Sequence, residues 1–360
     1  MINKRFWKNK RVLITGHTGF KGGWLSVWMK ILGAKISGYS INPLTKKNFF
    51  EATKIKKIFI KDYRKDIKDY KKLDECIKKT KPEVIFHLAA QPQVLESFIN
   101  PLNTIVTNVI GTTNLLEIVK KYKFIKSVVI ITTDKVYQNN EKKIKFSETD
   151  NLGGDDLYSA SKACADIISL SYFKSFFKNS ECGIATARAG NCIGGGDWTK
   201  FRILTDATEA FLKNRELNIR SPNSTRPWQH VLEPLYGYII LAQKIFGNQN
   251  KKYNSSWNFG PSRKANIKVI NFAKILKLKM KSKSKLTLNK KIDKREKQNL
   301  DLDSRKANKE LGWKSFLTIN DTLKFTAEWY IANSKKKNMY IFTHNQIKQF
   351  LKLKNDLQKL

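Results

Sequence analysis

The sequence predicts an α/β chain: a doubly wound parallel sheet in its first half, followed by a smaller, irregular C-terminal domain. Three observations carry this. Short apolar runs alternate with stretches of helical period from Arg11 to Arg188. A glycine-rich turn, Thr15-Gly16-His17-Thr18-Gly19-Phe20-Lys21-Gly22, joins the first run to the first helix, and the alternation stops at the cluster Gly194-Gly195-Gly196-Asp197-Trp198. Buried strands alternating with helices require a sheet covered on both faces, the hallmark of parallel pairing. The boundaries follow as residues 1–190 for the sheet domain and 191–360 for the smaller one, some of whose segments return to the sheet.

In chain order, Arg11–Ile14 reads as a buried strand ending at glycine, and Phe20–Leu32 follows with helical spacing. The runs Ala34–Ile41, Lys57–Ile60, Val84–Ala89 and Ser127–Thr132 are rich in β-formers and predict further strands. Tyr70–Thr80 and Leu102–Lys121 predict the helices between them. After Asp156 comes a long helix, Leu157–Phe177, then an apolar strand, Gly183–Arg188. No internal repeat is present.

Composition bounds the function. A chain of 360 residues, 41% hydrophobic, supports a large core and excludes both low-complexity disorder and a disulfide-stapled mini-protein. No apolar run approaches the length of a membrane span, and the first one breaks at Gly16, too early for a secretory leader, so a soluble cytoplasmic protein is expected. The formal net charge of +39 raises the question of nucleic acid. Its distribution argues against that, because most of the 69 basic residues are lysines interleaved with Ile, Asn and Leu along the whole chain. The densest stretch, Lys274 to Lys297, is the one place where an acidic partner stays open. Cys76, Cys164, Cys182 and Cys192 are scattered, without metal-ligand or redox spacing, and read as buried free thiols; no metal site is expected.

Between a strand and a helix, glycines at 16, 19 and 22 have distinct uses. One permits the tight turn, one lets backbone N–H groups approach a pyrophosphate, and one allows close helix-to-strand packing. The context predicts a Rossmann-type dinucleotide site built on Gly16, Thr18, Gly19, Phe20, Lys21 and Gly22. Asn42 stands where such sites often carry an acid on the adenosine ribose. It can bond the hydroxyls without repelling a 2′-phosphate, which leaves NAD against NADP open at this point. Asp66 and Ile67, after the third strand, are candidates for the adenine; a solvated loop Asp is the plainer reading of Asp66.

Tyr158-Ser159-Ala160-Ser161-Lys162 opens a helix, and its i, i+4 spacing puts phenol and ammonium on one face. A neighbouring cation favours the phenolate, making Tyr158 a candidate base. Thr132-Thr133-Asp134-Lys135, at the end of the preceding strand, would bring a hydroxyl, a carboxylate and an amine toward that Tyr across the carboxyl edge of the sheet.

These residues resemble the extended short-chain dehydrogenase/reductase family, through the Gly-x-x-Gly-x-x-Gly turn, Thr133 and Tyr158-x-x-x-Lys162. Within it the chain is similar to the nucleotide-sugar dehydratases, the CDP-glucose 4,6-dehydratases above all. The matching stretches include Phe86-His87-Leu88-Ala89-Ala90-Gln91-Pro92, Asn108-Val109-Ile110-Gly111-Thr112, Arg188-Ala189-Gly190-Asn191, Arg226-Pro227-Trp228-Gln229-His230 and Trp257-Asn258-Phe259-Gly260-Pro261. The resemblance implies NAD as cofactor, with Leu88, Ala89, Ala90, Asn108 and Arg188 joining Tyr158, Lys162 and the glycine turn around it. It also implies a reaction: Tyr158 deprotonates the glucose C4 hydroxyl as hydride leaves C4, Thr133 orients that hydroxyl and Lys162 holds the ribose. Asp134 then protonates the departing C6 hydroxyl, Lys135 stands at the C5 base position, and the hydride returns to C6. The expected product feeds deoxysugars into surface polysaccharide such as the lipopolysaccharide O-antigen.

Arginine suits phosphate oxygens, so in a chain with few of them Arg226 and Arg202 are the candidates for the substrate diphosphate, with Gln91, Asn191 and His230 completing the substrate set. His230 alone reads more simply as a packed histidine, and Arg188 as a structural one. The chain departs from its relatives at Leu95, Phe98 and Phe201, three positions expected to line the cleft. A homodimer or homotetramer, joined through the helices at Leu102–Lys121 and Leu157–Phe177, is implied by the family. Two readings stay open beside the dehydratase: a nucleotide-sugar 4-epimerase, which needs no strand-end acid and base, and a basic nucleic-acid-binding protein on a degenerate scaffold of the same kind.

Overall fold

The computed structural model describes residues 1–139, 145–261, 265–288 and 301–357. Its centre is a parallel sheet of seven strands: β1 (Arg11–Thr15), β2 (Lys35–Ser40), β3 (Lys61–Arg64), β4 (Val84–His87), β5 (Ser127–Ile131), β6 (Gly183–Ala189) and β7 (Ser256–Phe259). They lie in the order β7-β6-β5-β4-β1-β2-β3, so the chain reverses direction across the sheet between β1 and β4. That reversal opens the crevice at the carboxyl edge where doubly wound folds bind ligands.

Alternation along each strand feeds two cores. Val12, Ile14, Phe86 and Val129 face one cluster, while Leu13, Ile85, Val128 and Ile130 face the other. The helices flanking the sheet are α1 (Phe20–Ile31), α2 (Tyr70–Thr80), α3 (Gly111–Lys121) and α4 (Leu157–Tyr172). Side chains fix where two of them start: Asp69 accepts the Lys72 N–H before α2, and Asp156 accepts the Ser159 N–H before α4.

The later elements are α5 (Ile203–Leu212), α6 (Leu232–Ile245), α7 (Val269–Lys279), α8 (Ile319–Ser334) and α9 (Met339–Leu357), with short paired strands between them. Helix α6 packs on β5 and β6, α9 packs on α1, and β7 extends the sheet. Gly194–Gly196 is the pivot of this return. A Cβ on Gly195 would lie 2.0 Å from Trp329, and the Gly195 carbonyl accepts the Trp24 indole N–H at 2.9 Å.

Two sequence expectations are corrected here. The run Lys57–Ile60 is not a strand: Ile55–Ile58 forms a 3₁₀ turn, and the strand follows at Lys61–Arg64. An edge strand buries little, so its polar sequence carried no apolar signal, whereas Ile58 and Phe59 are half-buried for a different reason, packing against the large core. Cys164 is exposed, while Cys76, Cys182 and Cys192 are buried thiols. Part of the basic run Lys274–Lys297 lies outside the described residues; the part within them begins in α7. Among the described residues no helix is long and apolar enough to cross a membrane.

Candidate active site

The glycine turn is built for close approach. Gly16 adopts φ +72°, and a Cβ there would come within 2.7 Å of the Ala89 backbone nitrogen, while one on Gly22 would lie 2.2 Å from the Gly16 carbonyl. Leu88 and Ala89 follow β4, with the Ala89 N–H bonded to Thr15 Oγ1, and they form the opposite wall of the turn. Gly19 precedes α1 without a side-chain cap, leaving the first N–H groups of that helix directed outward. These features fit a dinucleotide pyrophosphate. Thr18 bonds Ser40 and the Ile41 carbonyl at the end of β2, and Asn42 is exposed just beyond. Lys47 pairs with Glu209 at 3.2 Å. Asp66 caps its own turn through the Lys68 N–H, and Ile67 is buried under Gly111.

The catalytic candidates converge at the carboxyl end of β5. Thr133 donates to Asp134 at 2.9 Å and also bonds the Tyr158 phenol. Burial pushes the Asp134 carboxyl above the usual range, against the pull of Lys135, the Thr133 hydroxyl and Lys21. Gly190 makes the room for it: a Cβ there would lie 2.7 Å from Asp134 Oδ2. Burial pushes the Tyr158 phenol up to about 12; the Thr133 bond and Arg202 oppose this, and Asp134 adds to it. The expected pull of Lys162 on Tyr158 takes another form. Lys162 donates to the Ile131 carbonyl at 2.8 Å, and burial together with Lys21 lowers its ammonium to about 8. Arg202 is the cation that favours the phenolate.

Beneath these groups lies a closed polar network. Arg188 donates to both oxygens of Asp166, to the Tyr137 hydroxyl and to Ser256, at 2.7–3.0 Å. Asp166 stands four residues after Lys162 on α4 and also accepts from Thr132. Arg188 is therefore sealed in the floor, 2% exposed, and does not reach the cofactor cradle as the resemblance implied. A long cation at a strand end looks alike in sequence whether it faces a ligand or a buried acid. Asn108, in a π turn of the helix before α3, bonds the Gln91 backbone and Ser161, locking the loop after β4 to α4.

Above the network a cleft of about 580 Å³ is lined by Thr133, Asp134, Lys135, Tyr158, Asn191, Cys192, Arg202 and Arg226, among others. Arg202 pairs with buried Asp197 at 2.6 Å and keeps its side chain 42% exposed. Two of the expected substrate residues lie away from the cleft walls. Gln91 spends its amide on Thr104 and the Gln93 carbonyl. His230 is fully buried between Trp24 and Phe325, where burial lowers its pKa to about 3. Of the three departures, Leu95 and Phe201 line the cleft and Phe98 is an exposed surface residue. Sequence reasoning missed Asp166 and Asp197. The acid at i+4 from Lys162, the single carboxylate of α4, was the available signal for the first; the second stands in the glycine cluster that was read only as a loop.

Comparison with known proteins places this geometry. A family model described as GDP-mannose 4,6 dehydratase matches residues 13–326. The CDP-glucose 4,6-dehydratase of Salmonella typhimurium is 41% identical over 358 residues, 98% of this chain and 99% of the relative. Among solved structures, the dTDP-glucose 4,6-dehydratase of Bacillus anthracis in complex with NAD superposes with a TM-score of 0.75 at 23% identity, covering 92% of this chain and 99% of the other. The UDP-glucose 4-epimerase of Thermotoga maritima, with UDP-glucose, gives 0.77 at 22%, covering 90% and 99%.

Proposed function

The chain belongs to the GDP-mannose 4,6 dehydratase family, within the extended short-chain dehydrogenases/reductases, and from that premise we propose that it is an NAD-dependent CDP-glucose 4,6-dehydratase, a hydro-lyase. One observation carries the reading beyond family membership. A buried carboxyl whose pKa is raised, Asp134, stands beside Lys135 and shares Thr133 with Tyr158 at one cleft wall. Oxidation at C4 needs only Thr133, Tyr158 and Lys162; a second acid and amine at the same strand end are what elimination adds.

When bound in the glycine cradle, NAD supplies the hydride acceptor for C4 and the hydride donor for C6. Thr133 holds the C4 hydroxyl through the hydrogen-bond position it shares with Tyr158, and Tyr158 takes the hydroxyl proton. A C4 ketone acidifies the C5 hydrogen, which Lys135 removes, while Asp134, whose burial favours the protonated form, delivers a proton to the leaving C6 oxygen; Lys135 gives its proton back to C5 as hydride returns to C6. Lys162, held by Ile131, binds the cofactor ribose. Arg202 and Arg226 take the diphosphate and Asn191 a substrate hydroxyl. The reaction runs in the cytoplasm and supplies a 6-deoxy-4-keto sugar for surface polysaccharide such as O-antigen. The exposed apolar side chains of Leu102, Ile105, Ile110, Leu157 and Ile167 form the face by which two copies associate.

The test is incubation of the enzyme with CDP-, dTDP-, GDP- and UDP-glucose, with products read by mass. Loss of one water from CDP-glucose without net NADH supports the proposal. An isobaric product would make the enzyme an epimerase, and no reaction with any sugar nucleotide would overturn the reading.

A further inference from the structure

The catalytic groups occupy one end of the cleft, and the other end holds a second polar constellation with no part in the chemistry. Helix α5 connects the two. Arg202, just before α5, interacts with Tyr158, and Asp206 sits one turn further along on the same face, about 6 Å up the helix axis. Asp206 Oδ2 accepts from Arg220 at 3.1 Å, and among the described residues its Oδ1 and the Asn218 amide have no hydrogen-bond partner. All three residues line the cleft. Asn218 projects from the strand Leu217–Ile219, whose other two side chains are buried, so it can only face outward into this space.

A half-exposed ion pair stabilises a fold little, and this one joins a loop to a helix already packed through Leu204, Ala207 and Phe211. Its value is as a pattern: an acceptor beside a donor. The pairing edge of cytosine offers the complement, an N4 amino donor beside the N3 acceptor, with O2 as a further acceptor. Uracil and thymine offer the reverse, a carbonyl O4 that would meet the carboxylate and an N3–H that would meet the guanidinium. Guanine is opposed in the same way.

We propose that Asp206 and Arg220, assisted by Asn218, form the nucleobase-reading end of the cleft and select cytidine over uridine, thymidine and guanosine sugar diphosphates. Asp206 Oδ1 accepts the N4 amine and Arg220 donates to N3, while the Asn218 amide donates to O2. The desolvation that raises the Asp206 carboxyl increases the penalty for opposing it with a carbonyl. Adenine presents the same amino-and-acceptor edge on a larger ring, so the test includes it. The inference rests on the CDP-glucose reading above and goes beyond it by assigning the residues that choose the base.

The experiment compares kcat/KM for CDP-, UDP-, dTDP- and ADP-glucose in wild type, Asp206→Asn and Arg220→Gln, with competitive inhibition by CMP and UMP as an independent binding readout. An Asn side chain can turn its amide toward a carbonyl. Asp206→Asn is therefore expected to narrow the CDP-to-UDP preference roughly 10- to 100-fold, with the loss for CDP-glucose falling on KM, and to shift the CMP-to-UMP inhibition ratio the same way. Arg220→Gln should narrow the ratio too. If wild type turns over CDP-glucose and both variants keep its preference within about twofold, the base-reading assignment fails while the dehydratase reading stands. ADP-glucose used as well as CDP-glucose would overturn the choice of cytosine. A wild type that prefers UDP- or dTDP-glucose would overturn both readings together.

Discussion

Two ion pairs of the same chemistry mark the floor and the wall of the cleft. Asp166–Arg188 closes at 2.7 Å and Asp197–Arg202 at 2.6 Å, yet the first arginine side chain is 2% exposed and the second 42%. In the floor every nitrogen of the arginine fork is used, on Asp166, Tyr137 and Ser256. In the wall Arg202 donates to Asp197 through Nη1, and among the described residues its other N–H groups have no hydrogen bond, so they face the cleft. A saturated arginine positions helix α4 and the Tyr158 and Lys162 it carries. An unsaturated one is held in place by its acid with N–H groups left toward the cleft.

Five substitutions sharpen or break this contrast. Arg188→Met has the largest expected effect. It strands Asp166 as an uncompensated buried charge and should cost about 3–5 kcal/mol of unfolding free energy, measured by denaturant titration. A loss under about 1 kcal/mol would mean the floor network is not structural.

Glu233 extends the comparison to a buried acid without a guanidinium. It accepts from the Phe316 and Leu317 N–H groups, and burial raises its pKa to about 7. A carboxyl whose folded pKa lies above its unfolded value contributes stability that is complete below pH ~4.5 and is lost as pH rises through about 7. Glu233→Gln keeps the acceptor oxygen and should remove that loss, leaving the variant about 3 kcal/mol less sensitive to the step from pH 5 to pH 8 than wild type. His230 runs the opposite way: its pKa of about 3, set by burial, gives stability that is present above its unfolded pKa near ~6.5 and lost as pH falls toward 3. Parallel pH profiles for wild type and Glu233→Gln would show that Glu233 does not titrate in this range.

In the wall itself, Asp134→Asn and Lys135→Met should still reduce bound NAD on adding CDP-glucose, while forming product at least ~10²-fold more slowly, as for a lost general acid or base. Single-turnover absorbance follows the first step and product mass the second; wild-type product rates in both would remove these side chains from the elimination. Arg202→Met should raise KM for CDP-glucose about 10-fold, from the loss of a charge-assisted bond. It should cost less unfolding free energy than Arg188→Met, because Asp197 keeps the Thr199 N–H and hydroxyl as donors and the arginine side it loses is part-exposed. A large loss of stability there would erase the difference between floor and wall.

The fold class, the glycine turn and the Tyr158 to Lys162 pair were legible in the chain because each is written in local spacing: buried strand, glycines at 16, 19 and 22, an i, i+4 pair. Strand β3 was misplaced because a polar edge strand lacks the apolar pattern that marks its neighbours. Arg188, Gln91 and His230 share motifs with the cleft-lining residues Asn191, Pro92 and Arg226, but their burial and partners depend on residues elsewhere in the fold: Asp166 for the first, Thr104 for the second, Trp24 and Phe325 for the third. By itself the sequence determined which groups are available and how the backbone near them runs. The tertiary structure decided which of those groups meet solvent or a buried partner, because burial and pairing at the carboxyl edge are set by β6, α5 and the returning C-terminal helices together. Asp206 and Arg220 show this most plainly: they are 14 residues apart and belong to no local motif, and they become an acceptor beside a donor only where α5 and the Leu217–Ile219 strand meet.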